Sequence, residues 1–296
     1  MQQLAVPALG SRLGAYVALT KPRIIELLLV TTLPTMVVAQ GGLPPVWLMA
    51  STLVGGSLAA GGANALNMVI DRDIDKVMHR TRHRPLVTGI ISPTEALVFA
   101  LVLEVAAFAL LWAKVNLLSA VLAVSATAFY VFVYTLWLKR TSTSNIVIGG
   151  AAGAVPVLVG WAAVRDALGW APLVLFAVIF VWTPPHFWAL AVRYRDDYAA
   201  AEVPMLPAVA SLETTAVRIM RYSLVLWALS VGFAPVAGMG PLYLLASVVL
   251  GGVFTWYALQ LLRAPSPARA MRLFSWSITY ISLLFGAMAL DQLVRA

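Results

Sequence analysis

Nine apolar runs, each about long enough to cross a hydrocarbon core of roughly 30 Å, follow one another between residue 24 and residue 290. They fall near 24–39, 46–66, 96–113, 117–138, 144–164, 171–192, 222–237, 241–262 and 273–290, separated by Pro/Gly pairs or charged residues. A chain in lipid must satisfy its backbone N–H and C=O groups internally, so segments of this length are membrane-spanning helices. Hydrophobic residues make up 61% of the chain and charged ones 11%, whereas a soluble domain needs about a quarter charged to cover itself. The fold class is therefore all-α and polytopic, with residues 1–296 forming a single integral membrane domain behind a short cytoplasmic segment, 1–20. The absence of cysteine excludes disulfides, thiolate metal sites, iron–sulfur clusters and a cysteine nucleophile. Any metal must sit on oxygen or imidazole.

Charge placement orients the bundle. With the N-terminus cytoplasmic, 17 of the 20 Lys and Arg residues face the cytoplasm, and only Lys114, Arg165 and Arg295 lie on the far side. Runs three and four are joined by little more than 114–116, and fusing them into one bent helix would give eight spans but scramble this split. Nine spans place the C-terminus in the periplasm. The net charge of +8 is thus mostly topology, and no soluble domain exists to offer a groove to nucleic acid. Trp47, Trp112, Trp137, Trp161 and Trp170 fall near span ends, where aromatic belts form. The stretch before Lys21 has neither the apolar core of a secretory signal nor the Arg/Ser pattern of a transit peptide, which suggests a bacterial inner membrane.

Against this apolar background, two polar loops on the expected cytoplasmic side carry the chemistry. The first reads Asn67-Met-Val-Ile-Asp71-Arg72-Asp73-Ile-Asp75, then His79-Arg80-Thr-Arg82-His-Arg84. On a helix continuing out of the membrane, Asn67, Asp71 and Asp75 share a face while Asp73 points away. Oxygen ligands at that spacing suit Mg²⁺ bridging to a phosphate, and the neighbouring arginines suit the phosphate itself. The competing reading is a solvated turn of capping acids. The second loop, after the sixth run, reads Thr183-Pro-Pro-His186 and then Arg193-Tyr194-Arg195-Asp196-Asp197. Two such loops over one bundle would clamp a diphosphate. Within the spans, Glu26, Glu104 and His186 are the polar candidates. Glu26 stands equally well as a partner for Arg23, Glu104 as a helix-to-helix hydrogen bonder, and His186 as a satisfied core histidine. Pro184-Pro185 is expected to break the sixth helix and free carbonyls beside His186.

These residues resemble the UbiA-type intramembrane prenyltransferases. Asn67-Met-Val-Ile-Asp71-Arg-Asp-Ile-Asp75 matches the superfamily's NxxxDxxxD motif. Five segments look specifically like its haem-farnesylating branch: 20–27, 70–75, 145–150, 182–188, and 196–201 with 204–207. The resemblance implies a nine-helix bundle around a lateral, lipid-facing cavity, with a cytoplasmic polar cap where Mg²⁺ and an isoprenoid diphosphate bind. Tyr194 stands where the superfamily's second motif, DxxxD, begins, leaving Asp196 and Asp197 as its acids.

The activity implied is farnesyl transfer from farnesyl diphosphate to a vinyl group of haem B. Asn67, Asp71, Asp75, Asp196 and Asp197 are the expected metal ligands. Lys21, Arg23, Arg72, Arg80, Arg82, Arg84, Lys139, Arg140, Asn145, Arg193 and Arg195 are expected to contact diphosphate or haem propionates. Asp71, Asp75, Glu26 and His186 are the expected catalytic set, His186 positioning or ligating haem and Glu26 handling water or a proton. Expected partners are farnesyl diphosphate, haem B, the lipid bilayer, and haem A synthase or oxidase assembly proteins. Prenylation of a quinone precursor is the nearest alternative, and a transporter is the alternative of another class.

Overall fold

The computed structural model describes residues 9–296, and of residues 9–11, 23, 24, 27 and 28 the backbone alone. Among the described residues every regular element is helical: α1 (Leu9–Thr20), α2 (Pro22–Gln40), α3 (Val46–Ile70), α4 (Arg72–Val77), α5 (Pro85–Thr88), α6 (Pro93–Lys114) and α7 (Leu117–Ala128). A π-helical segment (Phe129–Leu138) and α8 (Lys139–Thr141) prolong α7. Next come α9 (Asn145–Arg165), α10 (Trp170–Arg193), α11 (Arg195–Ala200), α12 (Leu206–Val209), α13 (Leu212–Ala237), α14 (Pro241–Arg263) and α15 (Pro267–Arg295).

Eight helices among the described residues have the length and apolarity to cross a membrane: α3, α6, the continuous Leu117–Thr141 rod, α9, α10, α13, α14 and α15. The first expected run falls on α2, whose described apolar stretch is Leu29–Gln40. This helix nonetheless runs the height of the bundle. Lys21 at its start bonds Asn67, and Gly42 beyond its end lies beside Ala296. The break between runs three and four is a real turn, where Asn116 caps α7 through the Ser119 amide.

Two expectations about helix ends and breaks are corrected. α13 begins ten residues before the seventh apolar run, because Ser211 caps it and its first turns carry Glu213, Arg218 and Arg221 above the apolar part. Pro184-Pro185 does not break the sixth helix: α10 is continuous from Trp170 to Arg193, with both prolines buried. Thr183 Oγ1 donates to the Ile179 carbonyl at 2.8 Å. The prolines' lost backbone bonds are tolerated because α9, α13 and α15 all pack on α10.

Sequential helices neighbour one another around a ring from α2 to α15, and α15 packs back on α2 to close it. The largest buried core lies among α9, α10, α13, α14 and α15, around Trp188, Phe233, Tyr243, Phe254, Tyr280 and Phe285. Outward side chains such as Val98, Val105, Phe132 and Leu245 are exposed, as a lipid-facing surface requires. Small residues set the closest approaches. A Cβ on Gly160 of α9 would lie 2.8 Å from the Thr32 carbonyl oxygen of α2.

The end away from the polar loops is fastened by Asp291 of α15. Its carboxylate accepts from the amides of Gly240 (2.6 Å) and Tyr243 (3.2 Å) at the start of α14, and it pairs with Arg295 at 3.1 Å. A carboxylate on free amides at a helix N-terminus is electrostatically favourable.

Candidate active site

The polar residues of the two loops gather at one end of the ring. α3 does not continue through the acidic loop as one helix. It stops at Ile70, Asp71 takes up a turn at φ −84 and ψ 8, and α4 begins at Arg72. The expected division still holds: Asp71 and Asp75 are buried while the Asp73 side chain is 64% exposed.

Each acid has its own cation. Lys139 Nζ donates to Asp71 Oδ2 at 2.5 Å, and Arg140 stands 3.7 Å from Oδ1. Arg84 binds Asp75 through both carboxylate oxygens, at 2.8 and 2.7 Å. Arg140 grips Asp73 at 2.7 and 2.8 Å, and that guanidinium holds the Asp73 carboxyl down to about 2. Asn67 organises the base of the cluster. Its Nδ2 donates to Asp71 Oδ2 at 2.6 Å and to Thr135 Oγ1 at 3.2 Å, while its Oδ1 accepts from Lys21 Nζ at 2.9 Å.

Lys21 sits in the left-handed region at φ 52, a conformation a lysine rarely adopts. It is held there because Asn64 Nδ2 donates to the Thr20 carbonyl at 3.0 Å and because its own ammonium is tied to Asn67. Burial, reinforced by Arg84 and Lys139 nearby, pushes the Lys21 ammonium down to about 7. Asp71 and Asp75 partly offset the shift, and an anion bound beside Lys21 would favour its charged form.

The two loops do converge, by a route the spacing did not reveal. Asp197 accepts from the backbone amides of His79 (3.2 Å) and Arg80 (3.0 Å). The guanidinium groups of Arg80 and Arg193 lie 5.2 and 5.9 Å from the Tyr194 ring centroid. His79, Arg80, His83, Arg193, Tyr194, Asp196 and Asp197 line a cleft of about 480 Å³. Arg72, Arg82 and Arg195 are exposed around this face. Arg23 lies outside the described side chains.

Oxygen donors of the right chemistry for a hard divalent cation are present. Asp71 Oδ1 is buried and accepts no hydrogen bond, an open ligand position beside Asn67. Among the described residues, however, no three His, Asp or Glu side chains stand close enough to enclose a metal by themselves. Asp71 and Asp75 would supply ligands from the protein side, and Lys139 and Arg84 would turn to the phosphate.

His186 lies away from the acids, inside the bundle. It stacks on Trp182 at 4.3 Å and contacts Phe274 and Phe187 at 4.8 and 5.0 Å. Its Nδ1 meets Ser277 Oγ at 2.6 Å. Ser277 Oγ also lies 2.6 Å from the Phe274 carbonyl oxygen, and a proton on Nδ1 would let both contacts be hydrogen bonds. In that tautomer Nε2 carries the lone pair, the form in which imidazole binds a metal.

Glu26 is exposed on α2. Glu104, half-buried between helices, accepts from Thr127 Oγ1 at 3.1 Å and presses against Gly62, where a Cβ would lie 2.6 Å from its Oε1. Asn145 is fully buried, and neither Oδ1 nor Nδ2 has a hydrogen-bond partner.

Sequence reasoning missed Thr135 and Ser277, ordinary hydroxyl residues with no motif around them. It also missed the stacked pair Tyr130 and Tyr134 at 5.4 Å. Those two lie in the π-helical segment that carries Thr135, and the altered pitch there has no signature in residue spacing.

A model of the UbiA prenyltransferase family matches residues 28–284. A protoheme IX farnesyltransferase of Frankia alni is 53% identical over 289 residues, 97% of this chain and 100% of its own. One of Clavibacter sepedonicus is 53% identical over 283 residues, 95% of this chain and 92% of its own. Among solved structures, a digeranylgeranylglyceryl phosphate synthase superposes with a TM-score of 0.78 at 16% identity, covering 96% of this chain and 99% of that one. A UbiA homologue from Archaeoglobus fulgidus bound to GPP and Mg²⁺ superposes with a TM-score of 0.64 at 17% identity, covering 93% and 99%.

Proposed function

The chain belongs to the UbiA prenyltransferase family, and from that premise we propose that it transfers the farnesyl group of farnesyl diphosphate to a vinyl group of haem B, giving haem O. The observation that carries this reading is identity of 53% across the full length of a relative named for that reaction. The structure supports it with two separate polar features, an anion-receptive cluster at the loop end and a histidine nest within the bundle.

In this reading the diphosphate lies at the loop end, against Lys21, Arg84, Lys139 and Arg140. Asp71 and Asp75 would hold Mg²⁺, which would supply charge neutralisation at the leaving group. Asn67 and Thr135 fix the Asp71 carboxylate, and Arg140 pins α4 to the end of α3 by donating to the Ile70 carbonyl at 3.2 Å. As the C1–O bond breaks, its electron pair leaves with the diphosphate, where Lys21, Arg84 and Lys139 meet the developing negative charge.

The vinyl π electrons then form the new bond to farnesyl C1. Water captures the cation produced beside the porphyrin and loses a proton, leaving a hydroxyethylfarnesyl substituent. Because the acceptor supplies π electrons, no strong base is required for bond formation. His186 ligates or positions the haem iron, and the propionates are met by the arginines at the loop end. Glu26 remains the candidate for handling the water or its proton, and Asp196 and Asp197 the candidates for a second metal contact.

The nine-span topology with a cytoplasmic polar end belongs to the same proposal, supported by α2 running from one end of the bundle to the other. Membranes containing the chain, given farnesyl diphosphate, Mg²⁺ and haem B, are expected to accumulate haem O. A prenylated quinone precursor as the only product, or uptake without product, would reject the assignment.

A further inference from the structure

On the hairpin of α14 and α15, with none of the acid cluster's residues in its lining, lies a shallow cleft of about 410 Å³ lined by Tyr257 of α14 and by Ala268, Met271, Arg272, Ser275, Trp276 and Thr279 of α15. It is at the loop end of the bundle, since α14 finishes and α15 begins there. From Ala268 to Thr279 it extends roughly 16 Å along the helix at 1.5 Å per residue. It thus passes from the level of lipid headgroups into that of acyl chains.

Thr279 Oγ1 donates to the Ser275 carbonyl at 3.4 Å, but two other polar groups of the cleft are not engaged by the protein. Arg272 is exposed and forms no ion pair among the described residues. Its neighbour Arg269, by contrast, is committed to the carbonyls of Gln260 and Ala264, both at 3.0 Å. Trp276 Nε1 is buried without an acceptor, although an indole N–H in such a place normally finds one. The Trp276 and Tyr257 rings, 5.8 Å apart and tilted by 35°, form an apolar wall below the arginine.

We propose that this cleft binds the phosphate diester of an acidic phospholipid, with Arg272 on the phosphate, Ser275 and the Trp276 N–H as further donors, and an acyl chain lying along Trp276 and Tyr257. The length of the cleft along α15 selects a lipid over a free anion. Its composition selects an acidic headgroup over a zwitterionic one, because no Asp or Glu lines it to receive a choline or ethanolamine ammonium. Basic side chains near the membrane surface attract anionic lipid, and here the attraction is joined to a shaped pocket with an unsatisfied donor.

The test uses the purified full-length chain in detergent, titrated with phosphatidylglycerol, phosphatidylcholine or inorganic phosphate and read by native mass spectrometry. The wild type is expected to retain phosphatidylglycerol about tenfold more tightly than phosphatidylcholine, the ratio that one charge-assisted contact supports. Arg272→Gln should abolish the preference, Arg272→Lys should keep part of it, and Trp276→Phe should weaken it while leaving the charge in place. Monodispersity and helical circular dichroism establish that each variant is folded. Equal retention of the two lipids by wild type, or an undiminished preference in both folded Arg272→Gln and folded Trp276→Phe, overturns the proposal. Inorganic phosphate that displaces phosphatidylglycerol at equal concentration assigns the cleft to the free anion and overturns it equally.

Discussion

Asp71 and Asp75 stand one turn apart, yet the structure gives them different partners, Lys139 for one and Arg84 for the other. Replacing either carboxylate by its amide keeps shape and some hydrogen bonding while removing the charge that a divalent cation needs. Asp71→Asn and Asp75→Asn are therefore each expected to lower turnover by roughly 10²–10³-fold, with helical content unchanged. Near-normal turnover at limiting Mg²⁺ in either variant would remove that residue from the metal site. His186 should behave oppositely. If it serves haem through Nε2, His186→Ala changes the haem spectrum or affinity and spares farnesyl diphosphate binding, whereas Asp75→Asn does the reverse. If it only satisfies Ser277, folded His186→Ala binds haem normally and loses about 1–3 kcal/mol of stability. The acids, arginines and histidine were legible because a charge in an apolar chain stands out. Thr135 and Ser277 were not, because a hydroxyl gains meaning only from what folding sets beside it.

At the scale of the element, most helix positions could be read from apolar length, and the misreadings share a cause. Pro184-Pro185 broke a local rule that the surrounding helices override, and the charged first turns of α13 hid its start from any hydropathy window. The π-helical segment was invisible because Phe129 to Leu138 is apolar at any helical pitch. Close packing was likewise hidden, since a glycine in the sequence does not say what faces it. Gly160 and Gly153 lie on the same helix but differ sharply: a Cβ on Gly160 meets the α2 backbone, while one on Gly153 meets nothing within 4 Å. Gly160→Ala is expected to destabilise the detergent-solubilised protein by about 1–3 kcal/mol through forced separation of α2 and α9, and Gly153→Ala to be neutral or slightly stabilising. Thermal unfolding of the pair checks this, and equal midpoints would contradict the described approach of α2 to α9.

Over the whole molecule, the asymmetry of Lys and Arg and the traverse of α2 together call for termini on opposite faces. Reporter fusions are expected to place the N-terminus in the cytoplasm and the C-terminus across the membrane, and finding both on one side would refute nine spans. The far-side fastening by Asp291 gives a further expectation. Asp291→Ala should leave the Gly240 and Tyr243 amides unpaired and cost about 1–2 kcal/mol, in the range of a lost helix cap, without altering substrate affinities. Deuterium exchange at the start of α14 reports it directly. The closure of α15 upon α2 also has a consequence for how the protein is made. α2 leaves the ribosome long before α15, the helix that closes on it, and the amide of Gly240 waits for a carboxylate 51 residues further along the chain. A nascent chain interrupted before α15 is an open crescent with exposed seams, so α15 must be made and inserted before there is a ring at all.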